Sequence, residues 1–72
     1  MSINYLSLRE ELEIGLMVAD SLVNFVRKGV ISTSEIRSAL RDVVKEVGST
    51  HPDDYLVELT VNRVRHDLAG RV

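Results

Sequence analysis

Along this chain, stretches in which apolar residues return every three or four positions alternate with short breaks rich in Gly, Ser, Pro and Asp. The first such stretch runs from about Leu8 to Lys28. Wound at about 100° per residue, it places Leu8, Leu12, Leu16, Ala19, Leu22, Val23 and Val26 on one face, with Gly15 among them permitting a close approach. This face is expected to be the intramolecular core. A second ridge of Ile14, Val18 and Phe25 lies beside it, and together they make an apolar arc of roughly 200°, wider than one covered face needs. Either both other helices pack on this arc and use all of it, or the ridge of Ile14, Val18 and Phe25, with Met17, is an interface for a second chain.

The ends of this helix carry their own signals. Ser7 is a suitable N-cap with Glu10 three residues on, and Glu10 and Glu11 lie near the positive end of the helix dipole. At the other end Arg27 and Lys28 suit the negative end. Gly29 follows as a residue that turns left-handed without a Cβ clash, which makes Phe25 and Val30 the apolar pair of a Schellman ending.

The segment Gly29-Val-Ile-Ser-Thr-Ser-Glu35 resembles the back half of an EF-hand calcium loop. With Gly29 and Glu35 in the loop's sixth and twelfth positions, Asn24, Val26 and Lys28 fall where the first three ligands belong. Valine has no side-chain oxygen, and an ammonium group repels a dication, so the resemblance does not carry calcium binding with it. A helix start accounts for the same residues. Ser32 is an N-cap with Glu35 at N3, and Ile31 and Ile36 stand where a hydrophobic staple fixes the entry angle of the chain.

A second helix is therefore predicted over 33–47, with Ile36, Ala39, Leu40, Val43, Val44 and Val47 on one stripe and Arg37, Arg41, Asp42, Lys45 and Glu46 outside it. Gly48 ends it. In the turn Gly48-Ser-Thr-His-Pro-Asp-Asp54, Thr50 or His51 is the expected cap of a third helix, with Pro52 early and Asp53 and Asp54 meeting the dipole. The run Tyr55 to Asn62 nearly alternates like a strand, but Val57, Val61, Val64 and Leu68 keep helical spacing beyond it. A lone strand would also have no partner strand, so 53–69 is read as helix. The fold class expected is all-α: one domain over 1–72, an antiparallel bundle of three helices at about 8–28, 33–47 and 53–69.

Composition sharpens this in one respect. A chain of 72 residues buries a small share of its surface, and small domains usually gain stability from disulfides, metal or a partner. The absence of cysteine removes disulfides and thiolate metal sites and is compatible with a reducing compartment. Association through the first helix as a two-fold homodimer is then the expected supplement. A net charge of −2 gives no strong pull towards nucleic acid or membrane. The beginning of the chain lacks the pattern of a secretory signal and the most apolar window, Leu12 to Val26, is too short to span a bilayer, so a cytoplasmic location is expected.

Little in the sequence points to chemistry. His51, Asp53 and Asp54 are the nearest approach to a metal cluster and read better as a helix start, and no serine stands at a catalytic spacing from a histidine or lysine. No cofactor and no catalytic residue is expected. One further surface is notable: Asn62, Arg63, Arg65, His66 and Arg71 crowd the end of the third helix, and residues of these types read bases and bind phosphates. The same residues also suit a solvated helix end, with Arg63 and Asp67 paired one turn apart. The function expected is thus a small non-catalytic interaction module, an adaptor, regulator or accessory subunit acting as a homodimer. A small nucleic-acid-binding regulator is the alternative.

Overall fold

The computed structural model describes residues 6–71, Arg71 by its backbone alone, and every regular element among them is helical. The elements are α1 (Leu8–Ser21), α2 (Val23–Arg27), α3 (Thr33–Val47) and α4 (Asp53–Arg71), and α1, α3 and α4 each pack against the other two. The segment that nearly alternates like a strand is helical throughout.

α1 starts as its sequence requires. The Ser7 hydroxyl oxygen accepts from the Glu10 N–H at 3.2 Å and its O–H donates to Glu10 Oε1 at 3.0 Å, so the carboxylate meets the hydroxyl instead of an orphan N–H. The expected single helix over 8–28 is broken at Leu22, where φ is −114° and ψ 26°. Two features account for the break. The Ser21 hydroxyl donates to the Met17 carbonyl one turn back at 3.1 Å, a back-bond that bends helices, and the Leu22 side chain is drawn fully into the core. The Leu22 N–H is shared between the Val18 and Ala19 carbonyls at 3.0 and 3.2 Å, and the Leu22 carbonyl in turn accepts from Phe25 and Val26 as the helical path resumes in α2.

α2 ends in the Schellman motif that its sequence predicts. The Val30 N–H donates to Phe25 O at 3.0 Å and the Gly29 N–H to Val26 O at 3.1 Å, with Gly29 at φ +73°. Ser32 then caps α3, accepting from the Glu35 N–H at 3.2 Å, while Ile31 and Ile36 are both buried on either side of the cap. The predicted stripe of α3 faces inward as a whole, with Val47 half-buried at its end. Gly48, at φ +89°, closes the helix through its N–H to Val44 O at 2.7 Å.

His51 does not cap α4. Its Nε2–H donates back to the Val47 carbonyl at 2.9 Å and so completes α3, while the Pro52 carbonyl accepts the first turn of α4 from Tyr55 and Leu56. α4 buries Leu56, Thr60, Val64 and Leu68, every fourth residue, with Val57 and Val61 half-buried at the edge. Thr60 is tolerated there because its hydroxyl donates to the Leu56 carbonyl at 2.7 Å, leaving no polar atom unsatisfied.

The face of α1 that meets the core is not the expected one. Ile14 and Val18 are fully buried, and with Leu22 they form the contribution of α1 to the core. Of the face expected inside, Leu22 and Gly15 are buried; Ala19 and Val26 are half-buried, and Leu8, Leu12, Leu16 and Val23 are exposed. Ile14 and Val18, expected on an interface, thus lie in the core of the chain. The physical reason is a carboxylate on the same strip of the helix, described next.

Candidate interaction surface

Glu11 precedes Ile14 and Val18 by three and seven residues and thus shares their strip of α1. It is almost fully buried, and two arginines one turn apart on α3 hold its carboxylate: Arg37 Nε donates to Oε1 at 3.0 Å, and Arg41 donates through Nη2 to Oε1 at 3.0 Å and through Nε to Oε2 at 3.2 Å. The arginines themselves are 40 and 57% exposed, so only the carboxylate gives up water. Arg41's hydrogen bonds hold the Glu11 carboxyl below the ordinary carboxylate range, against the upward push of burial, and Arg37 adds to the effect. This clamp turns α1 about its axis. Glu11 must face α3 to meet the two guanidinium groups, Ile14 and Val18 follow it inward, and the leucines are carried out.

Leu8, Leu12 and Leu16 stand 71, 53 and 70% exposed at spacings of four residues, a ridge along the length of α1 that Val23 extends beyond Leu22. Beside the ridge the cleft between α1 and α3 opens into a groove of about 250 Å³, its walls formed by Leu12, Gly15, Leu16, Ala19, Ile36 and Arg37. Gly15 is buried in its wall, where a methyl group would come into ordinary contact with Arg37 Cγ at 4.0 Å. Projection and recess thus lie side by side on one face.

The remaining expected interface residues fall elsewhere. Met17 and Phe25 are exposed at 43 and 39%, but Met17 lies roughly 140° round the helix from Leu12, away from the ridge. Phe25 lines a shallow opening with Arg65, Leu68 and Ala69, against α4.

The residues expected at a nucleic-acid face do not gather into one. Asn62, Arg65 and His66 are exposed, whereas Arg63 leaves the helix about 160° away from Arg65 and donates to Glu46 on α3. The Glu46 hydrogen bond raises the Arg63 pKa further above its ordinary value despite partial burial, and the charges of Glu46, Asp42 and Asp67 add to it. Arg63 is paired with Glu46 instead of the expected Asp67, and is ringed by carboxylates, not free for phosphate. The Arg71 side chain lies outside the described residues. His51 is occupied by Val47 and lies against the Tyr55 ring at a centroid distance of 4.9 Å. Among the described residues no three His, Cys, Asp or Glu side chains are grouped to hold a metal ion, and no helix is long and apolar enough to cross a membrane.

Fold and surface together define a small all-helical domain whose first helix leaves one apolar face uncovered. No family model matches the chain, and no curated protein and no solved structure does either.

Proposed function

We propose that this chain is a non-catalytic protein–protein interaction module, an antiparallel bundle of three long helices that works as a homodimer, as an adaptor, regulator or accessory subunit. The cytoplasm, where a cysteine-free chain meets no redox constraint, is its proposed location. One observation carries the reading: Leu8, Leu12 and Leu16 are exposed on one helix face beside an apolar groove, while all other large apolar side chains of α1 except Met17 are buried. A domain of this size gains most from covering such a face, and an isologous contact covers two copies at once.

Light scattering coupled to gel filtration tests it. The wild-type protein should elute at twice the chain mass, and the double substitution Leu12→Glu with Leu16→Glu should give a monomer of unchanged circular dichroism, because neither side chain is in the core. A wild-type monomer at micromolar concentration would refute the reading, as would a double variant that still dimerises.

A further inference from the structure

Resting on the homodimer proposed above, the pairing of the two copies follows from the same surface. We infer that the two α1 helices run antiparallel about a two-fold axis between Leu12 and Leu16, the leucine ridge of one copy packed along that of the other. Three features of the surface carry this.

The first is position. The midpoint of Leu8–Ser21 falls between Leu12 and Leu16, so an axis there overlaps the two helices over nearly their whole length. An axis displaced towards either end would leave leucines of the ridge uncovered.

The second is shape. With that axis, Leu12 of one copy meets Leu16 of the other, and Leu8 falls within one residue of the level of the small Ala19. Parallel pairing would set Leu8 on Leu8 and Ala19 on Ala19, stacking bulk at one end and leaving a gap at the other.

The third is charge. Arg9 and Asp20 are exposed at opposite ends of the ridge and lie only about 20° apart round the helix, on the same flank. Equivalent flanks face each other in an antiparallel pair, so Arg9 of each copy comes level with Asp20 of the other. Arg9 reaches Glu13 of its own chain at 3.3 Å, but that exposed pair is weak and leaves the guanidinium able to serve both carboxylates. Glu13, the carboxylate nearest the axis, keeps its own counter-charge. In a parallel pair the two flanks would lie on opposite sides of the contact, and neither Arg9 would have the other copy's Asp20 at its level.

The absence of cysteine from the chain makes the test direct. Arg9→Cys and Asp20→Cys are prepared separately, and a short bismaleimide is added to each alone and to their mixture, with the mass in solution recorded in parallel. Antiparallel pairing brings the two unlike positions level and separates like positions by roughly 15–18 Å along the axis, so cross-linked dimer is expected from the mixture and not from either variant alone. Cross-linking of Arg9→Cys to itself would establish parallel pairing and overturn the inference. A dimeric mass with no cross-link in any sample would move the contact to another surface and overturn it too. A monomeric mass would instead sink the homodimer itself. Charge reversal adds a second readout: Arg9→Asp and Asp20→Arg should each weaken the dimer several-fold, and the variant carrying both should recover it, whereas a merely structural role for either residue would make the two losses accumulate.

Discussion

α3 and α1 stand against each other in the core, and the comparison between them shows what decides burial here. α3 carries one narrow apolar stripe with charged residues on both sides, and every member of the stripe is turned inward. α1 carries two apolar strips of similar chemistry, of which Ile14 and Val18 are buried and Leu8, Leu12 and Leu16 are exposed. Leucine is no less hydrophobic than isoleucine or valine, so transfer from water cannot have made this choice. The buried strip is the one that contains Glu11, the less apolar of the two on composition. Arg37 and Arg41 invert the expected order, because a carboxylate held by two guanidinium groups is better placed at the edge of the core than left opposite unpaired cations. On a helix with a wide arc, a polar contact fixes the rotation and the apolar residues follow.

The comparison breaks most visibly at its two strips. Ile14→Ala should destabilise the fold by about 2–5 kcal/mol, the ordinary cost of truncating a fully buried side chain. Leu16→Ala, measured by urea denaturation at a concentration where the protein is monomeric, should change stability by no more than about 0.5 kcal/mol. Equal losses at the two positions would mean that the strips are not distinguished by burial.

The clamp gives the next effect. Its carboxyl titrates below the ordinary value in the folded state, so its contribution to stability is complete above that value, near pH 4.5, and is lost as pH falls through the folded value. Glu11→Gln should lower stability at neutral pH by roughly 1–3 kcal/mol, since hydrogen bonds to a charged group are replaced by neutral ones. It should also flatten the acid decline seen in the wild type when melting temperature is followed downward from pH 5. If the decline survives the substitution unchanged, other carboxylates carry it.

The smallest effect sharpens the contrast from the α3 side. Ser32→Ala removes the acceptor for the Glu35 N–H and should cost about 1 kcal/mol in thermal unfolding, without altering the inward stripe of α3 or the exposed ridge of α1.

Local signals at the start and stop of α3 and at the end of α2 held, whereas the expected His51 cap of α4 did not. The Gly29 stop, the Ser32 cap, the Ile31 and Ile36 pair and the α3 stripe are each written within a few neighbouring residues, and the structure bears them out. The width of the α1 arc was equally legible; its orientation was not. Glu11 looks like one more acidic residue favouring a helix N-terminus, because its partners stand 26 and 30 residues away on another helix. The available signal was a lone carboxylate in step with Ile14 and Val18 facing a helix with two arginines one turn apart. Thr60 hid itself differently: its hydroxyl is satisfied inside α4, so a residue that reads as polar behaves as core. The break at Leu22 depends on the Ser21 back-bond and on tertiary burial of the leucine, neither of which periodicity reports.

The turn from Gly29 to Ser32 bears on the order in which the chain folds. Its stop and its start each complete their hydrogen bonds with residues only a few positions away, so the α1–α2 and α3 segments can be brought together by closing one short loop, an event of the sub-microsecond kind. α4 then adds to a hairpin that already exists, packing on both α1 and α3.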